Sequence, residues 1–249
     1  MNNKVIYTCL VGGYDDLLQP EFVDADFDYV CFTDHVSKRN VGVWQMRKIP
    51  PVSDSLTRLS RYPKLLPHEL LQDYEYSVYM DANVQIVRPE FYEAVNEKIR
   101  SGCLVAQVRH VLPPVDCIYD EIGYAYKLNR VTFRQAWKQS RYLRQKHFPR
   151  HYGLFENNLL FRRHLDQKVI TMSKQWWDEY NRHAPRDQFS LMFVYWQNGY
   201  MPDDFFDEGI CTRNCSWLSY HQHHWEQQAS VTFLDRIHWH AYPFVKRLL

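Results

Sequence analysis

Short apolar segments rich in β-branched and aromatic residues recur along the first half of this chain, and stretches of helical spacing separate them. Residues 4–11, 29–33, 43–47, 76–80 and 103–108 have the length and composition of strands. Between them, 53–71 carries helical spacing with Ser53 or Asp54 as a cap and breaks near Pro63 and Pro67, and 89–100 reads as a helix begun by Pro89 and closed by Gly102. Strands that alternate with helices imply a mostly parallel sheet covered on both faces, an α/β fold. The second half is more helical, at 115–128, 132–146, 166–182 and 188–198, with a strand-like 158–162 interrupting. Beyond about residue 200 the chain reads as irregular, aromatic and rich in His.

At 249 residues the chain has room for one sizeable domain, and 45% hydrophobic with 24% charged residues is the composition of a globular protein with a real core. The net charge of +1 names no partner. Aromatics make up 16% of the chain, enough either for surfaces that stack on sugars and bases or for an aromatic-heavy core. No apolar run approaches the ~18 residues of a membrane span, and nothing near the N-terminus has the form of a signal peptide. The six cysteines lie mostly inside apolar segments without a paired framework, which implies reduced thiols and a cytoplasmic setting.

In an open α/β sheet, ligands sit beyond the carboxyl ends of strands where strand order reverses. Three strand ends here are chemically loaded. The first ends in Gly12-Gly13-Tyr14-Asp15, a tight turn with a ring able to stack on a flat base. The second ends in Phe32-Thr33-Asp34, with a donor and an acceptor for a base edge. The third ends in Asp81-Ala82-Asn83. On extended backbone a carboxylate and a carboxamide two residues apart share a face and offer hard oxygen ligands to Mg²⁺ or Mn²⁺, while Ala82 leaves room for a ligand. Arg58, Arg61 and Lys64, spaced by three, put cations on one helix face, where they balance a diphosphate or simply cover the core. These placements predict Tyr7, Thr8, Gly13, Tyr14 and Asp34 around a nucleoside, with Arg61 and Lys64 near its phosphates.

The motifs as a set resemble nucleotide-sugar glycosyltransferases of the GT-A fold. They are Tyr-Thr-x-Leu-x-Gly-x-Tyr-Asp at 7–15, Phe-Thr-Asp at 32–34, Arg-Tyr-Pro-Lys-Leu-Leu-Pro-His at 61–68 and Asp-Ala-Asn at 81–83. Later blocks follow in order: Gly-Leu-Phe-Glu-Asn-Asn-Leu-Leu-Phe-Arg at 153–162, Trp176-Trp177 and Arg-Asp-Gln-Phe-Ser at 186–190. More closely, they resemble a glycosyltransferase-like family formerly labelled a domain of unknown function. The resemblance implies a single GT-A-like domain over 1–249, with 1–110 holding a nucleotide sugar and 111–249 building the acceptor side. It also implies that Asp81, Ala82 and Asn83 bridge diphosphate and a Mn²⁺ or Mg²⁺ ion, although the usual motif ends in Asp and Asn83 weakens such a site. Asp187 then engages the acceptor hydroxyl as general base or orienting acceptor, the alternative being a plain helix cap. Glu156 is the second carboxylate, with Asn157 and Asn158 beside it for sugar hydroxyls. A late His often completes the metal site in GT-A enzymes, so His221, His223 and His224 are candidates, His223 foremost.

The expected function is transfer of a sugar from a nucleoside-diphosphate donor, such as a UDP-sugar, to a glycan or lipid-linked glycan in polysaccharide or glycoconjugate synthesis. Two other classes stay open. One is a noncatalytic nucleotide- or glycan-binding protein. The other is a zinc hydrolase through His221-x-His223, which lacks the helical His-Glu-x-x-His pattern. Between Glu121 and Glu156 there is no acid but eight Lys and Arg interleaved with aromatics from Lys127 to Arg150. That segment reads as a solvated face or a peripheral contact with a membrane or acidic glycan. Nucleic acid is not expected, because no binding motif accompanies it.

Overall fold

The computed structural model describes residues 2–111, 116–223 and 232–248. Its central sheet has eight strands in the order β3-β4-β2-β1-β5-β8-β7-β9. The first six in the chain are β1 Lys4–Leu10, β2 Asp28–Thr33, β3 Asn40–Val41, β4 Trp44–Lys48, β5 Tyr76–Met80 and β6 Val84–Ile86. The rest are β7 Val105–Arg109, β8 Phe155–Arg162, β9 Asp203–Asp204 and β10 Leu218–Tyr220. β1 pairs in parallel with β2 on one side and β5 on the other, so strand order reverses at β1. β6 and β10 form a separate antiparallel pair.

Period-two alternation along the strands sorts side chains into two cores. Val5, Tyr7, Phe32, Tyr79 and Leu160 face one layer, and Ile6, Cys31, Val78 and Phe161 face the other. Both faces being covered explains why the strands read as continuous apolar runs. The helices are α1 Leu56–Leu65, α2 Pro67–Leu70, α3 Glu90–Arg100, α4 Ile118–Lys127, α5 Phe133–Gln145, α6 Gln167–Arg182, α7 Leu191–Gln197 and α8 Phe233–Leu248. α5 opens with a capping box between Thr132 and Gln135, and Asp166 caps α6 by accepting from the Lys168 amide at 2.8 Å.

The sheet is mostly parallel, as expected, with β8 running antiparallel between β5 and β7 and drawing the sheet from both halves of the sequence. Two expectations are corrected. The helix expected at 188–198 is divided into a 3₁₀ turn, Asp187–Phe189, and α7. Tertiary bonds explain the division: Trp176 Nε1 donates to the Asp187 carbonyl at 3.0 Å, and Gln188 Nε2 donates to the Phe155 carbonyl. The C-terminal stretch expected to be irregular ends in a sixteen-residue helix, α8. Among the described residues, no helix is long and apolar enough to cross a membrane.

Candidate active site

Two cavities open at the carboxyl ends of β1 and β5, where the reversed strand order parts the chain. The smaller, about 280 Å³, is bordered by Cys9 to Gly12 from β1 and its turn, by Leu56, Thr57 and Ser60 of α1, and by Ala82. The larger, about 610 Å³, is bordered by Lys64, Glu156, Asn157, Asn158, Asp187 and Arg213 and by one side of α4. Tyr14, Thr57, Arg61, Asp81 and His223 border both, so the cavities meet at those groups.

Sequence proximity builds the smaller cavity. Gly12 and Gly13 both have positive φ, 62° and 63°, which a side chain rarely adopts. A Cβ at Gly12 would also stand 2.8 Å from Leu56 Cδ1. Asp34 holds this turn: both its carboxylate oxygens accept from the Gly12 amide at 3.2 Å. Asp34 therefore shapes the cavity without lining it, and Gly13 serves the turn in the same way. Tyr14 is half exposed and its ring lies 5.2 Å from that of His223, which in turn places Nδ1 2.6 Å from Asp15 Oδ2.

Tyr7 and Thr8 are corrected: both are buried and border neither cavity. Tyr7 lies beneath the site because its strand is covered on both faces. Its hydroxyl accepts from Arg162, and burial pushes its acidity out to about 12. Arg162 is itself buried and also donates to the Lys64 carbonyl at 2.7 Å, fixing the end of α1 over the sheet. Cys9 borders the cavity in their place, its thiol pushed far up by burial.

The larger cavity is organised around buried ion pairs that join distant sequence. Lys64 Nζ lies 2.7 Å from Asp187 Oδ2 and 3.5 Å from Asp81 Oδ1, and Arg61 Nε lies 3.7 Å from Asp187 Oδ1. Burial opposes the charge on Asp187, but Lys64 and Arg61 outweigh it and hold the carboxyl well below the ordinary range. Asp187 is thus held ionised between two cations, at the wall of the larger cavity. Asp81 accepts from the Tyr79 hydroxyl at 2.7 Å. Burial, then the Asp81 charge, push that hydroxyl well above its ordinary range, so it stays a donor.

Glu156 sits on β8 with every oxygen engaged. Oε1 accepts from Arg213 at 2.6 Å, and Oε2 accepts from Asn158 Nδ2 at 3.0 Å and Thr212 Oγ1 at 3.1 Å. Thr212 and Arg213 come from a stretch whose spacing carried no signal, and only the fold brings them under β8. Tyr79 and Arg162 stood in the sequence only as positions within motif blocks, with no role assigned, and nothing pointed to Asp15 as the partner of His223.

The expected cation ligands do not converge. Residues 81–83 turn, with the Val84 amide bonded to the Asp81 carbonyl at 3.0 Å, so the shared-face argument for extended backbone fails. Asn83 is buried, borders neither cavity and donates from Nδ2 to the His221 carbonyl at 2.8 Å, while its Oδ1 is enclosed without a partner. His221 bonds Gln85 at 3.0 Å, away from His223, and His224 lies outside the described residues. Among the described residues, no group of three or more His, Cys, Asp and Glu side chains could hold a metal. The described residues thus do not by themselves make a self-contained cation site. Asp81 and His223 remain at the junction of the cavities, and Asn83 does not.

The fold has counterparts among solved structures. The chain is 10% identical to the galactosyltransferase LgtC in complex with donor and acceptor sugar analogues, over 99% of this chain and 96% of that one, with a TM-score of 0.51. It is 8% identical to the apo-form glycosyltransferase GlyE of Streptococcus pneumoniae TIGR4, with a TM-score of 0.54 over 99% of this chain and 62% of that one. It also matches the apo WbbM bifunctional glycosyltransferase structure at 11% identity and a TM-score of 0.45, covering 82% of this chain. This chain spans only 38% of the length of that one. At such identities the likeness is one of fold, and that fold is GT-A. No curated protein matches the sequence. The family model described as TOD1/MUCI70, glycosyltransferase-like domain, matches residues 2–205, and the chain belongs to that family of GT-A-like glycosyltransferases.

Proposed function

We propose that this glycosyltransferase-like chain takes a nucleoside-diphosphate sugar into the smaller cavity and transfers the sugar to a glycan hydroxyl held in the larger one. The observation that carries this reading is the meeting of two cavities at Arg61 and Asp81, beyond the carboxyl ends of β1 and β5. α1 begins at the smaller cavity, and its N-cap Ser55 makes no side-chain cap bond, so its first amides favour phosphate there.

In the transfer, the bond from the anomeric carbon to the diphosphate oxygen breaks and a bond from that carbon to the acceptor oxygen forms. Negative charge grows on the leaving diphosphate, and the acceptor hydroxyl releases its proton to solvent water as its oxygen bonds to the anomeric carbon. Arg61 supplies fixed positive charge beside the breaking bond, with Lys64 behind it. Asp187 keeps those two cations charged and aimed, and the Glu156–Asn157–Asn158 edge of β8 accepts from and donates to acceptor hydroxyls.

Thermal melts of the full chain with nucleoside diphosphates and nucleotide sugars, with and without Mn²⁺, test the donor. A cognate donor at ~100 times its Kd stabilises the folded state by about 2.7 kcal/mol. Ala82→Phe, which fills the smaller cavity, should cut that affinity ~10-fold or more, about 1.4 kcal/mol. No shift with any nucleotide would overturn the donor reading. Binding without product from labelled donor would make the chain a noncatalytic nucleotide-binding protein. A shift found only with Mn²⁺ would restore the cation to the diphosphate.

A further inference from the structure

We propose that the face formed by α8 and α5 docks the chain onto an anionic lipid bilayer. An amphipathic helix on a globular protein ordinarily turns its apolar stripe inward. α8 does the reverse. Phe233, Ile237, Phe244 and Leu248 follow one another at helical spacing and are exposed by 77%, 43%, 70% and 57%. The opposite side of α8 is the one that packs. His238 stacks on Tyr126 of α4 at 4.3 Å, Lys246 pairs with Asp120 at 3.5 Å, and Val245 is buried. The exposed stripe is therefore not a loose helix awaiting its place in the core.

α5 extends the same surface. Tyr126 touches Phe133 of α5 as well as His238, and the Arg144 guanidinium donates to the Leu248 carbonyl at 3.3 Å. Phe133 and Trp137 are exposed there too, interleaved with the exposed cations Arg134, Lys138 and Arg141. Arg236 and Arg247 flank the α8 stripe. The nearby acids are committed: Asp120 to Lys246, and Asp235 to the Thr232 amide at 2.8 Å and Asn129 at 3.2 Å.

Charge complementarity selects the occupant. An apolar stripe flanked by Lys and Arg suits the headgroup–acyl boundary of a membrane containing anionic lipid, the apolar rings entering and the cations meeting headgroups. A second copy of the chain would meet this face with the same positive charge. α4 ties the surface to the site: Tyr124, Ala125 and Leu128 border the larger cavity, while Lys127 lies 5.5 Å from the Tyr242 ring of α8. A docked chain would open its larger cavity beside the bilayer. That consequence alone rests on the proposed transfer, whereas the docking itself does not.

Flotation of the full chain with phosphatidylcholine vesicles, with and without phosphatidylglycerol, tests the docking without any turnover. Binding should require phosphatidylglycerol and weaken with salt as screening shortens to ~3 Å at 1 M. Phe233→Ser with Phe244→Ser should reduce partitioning ~10-fold or more, because each ring contributes apolar burial. Arg134→Gln with Arg141→Gln, a separate pair on α5, should remove the salt-sensitive part. Unchanged melting would show that both variants are folded. Three results would overturn the proposal: no binding to anionic vesicles, equal binding after loss of both Phe rings, or a solution dimer dissolved by the Phe variants.

Discussion

The inner wall of the larger cavity and the outer face of α5 both carry dense charge, yet they treat it in opposite ways. Inside, Lys64 is almost wholly buried and is held between two carboxylates, while Glu156 has each oxygen taken. Outside, Arg134, Lys138 and Arg141 stand exposed. Buried charge has paid its desolvation and survives only through exact partners, so geometry is its purpose. Exposed charge keeps its hydration and acts through a field that salt can screen. The contrast teaches that the same residue types serve positioning in one place and attraction in the other, and burial decides which.

The sharpest way to break that contrast is to remove the central cation. Lys64→Met leaves buried Asp187 with only the more distant Arg61 and Arg186, and loss of one partner of a buried pair typically costs ~3–5 kcal/mol. Urea denaturation at pH 7 should show a loss of that size. Lys64→Met combined with Asp187→Leu should recover a large part of it, because the buried charge then disappears with its partner. A single variant as stable as the wild type would mean that the inner charges are as loosely held as the outer ones.

Acid should separate the regions next. His164 is fully buried, with Nε2 bonded to the Leu71 carbonyl at 2.9 Å, and burial pushes its pKa down to about 4 from an ordinary 6.5. The folded state thus binds the His164 proton less readily than the unfolded state. Stability from this group is full above pH 6.5 and is lost progressively as pH falls from 6.5 towards 4. The difference corresponds to about 3 kcal/mol. The Asp187 pair behaves differently, because a depressed carboxyl loses its contribution only below about pH 4. Comparing denaturation of the wild type with His164→Gln across pH 7 to 4 isolates the His164 share. Parallel curves would show that His164 accepts a proton in the folded state without penalty.

What sequence could foretell divides along the same line. The strands were legible because burial on both faces writes continuous apolar runs, and the ends of β1 and β5 were legible because Gly-Gly and Asp-Ala-Asn interrupt those runs. The helix starts at Thr132 and Asp166 were legible because caps are local chemistry. The antiparallel course of β8 was not, since strand direction is fixed by the path of the chain and leaves no trace in composition. Asn83 misled because the alternation rule assumes extended backbone and the residues turn. α8 was hidden because a helix with its apolar stripe outward, and Pro243 within it, lacks the usual relation between pattern and core. Partners such as Arg213 for Glu156, 57 positions away, depend wholly on the fold.

The smallest predicted effect is the one that most directly sharpens the comparison. Neutralising three cations of α5 together, as Arg134→Gln, Lys138→Gln and Arg141→Gln, removes as much charge as the inner site contains in Lys64, Arg61 and Arg213. Among the described residues none of the three makes an ion pair with a carboxylate, and Gln keeps good helix propensity. What is lost is the contact of Arg141 with the Trp137 ring at 5.1 Å, an exposed cation–π pair worth ~0.5–1 kcal/mol. What is relieved is repulsion among like charges one turn apart, a gain of a few tenths of a kcal/mol per pair. The two nearly cancel, so stability should stay within about 0.5 kcal/mol of the wild type at moderate salt. At low salt, where repulsion is unscreened, the triple variant should become the more stable of the two. A loss of several kcal/mol would show that α5 uses its cations structurally, as the inner site does, and the distinction between positioning and attracting charge would fall.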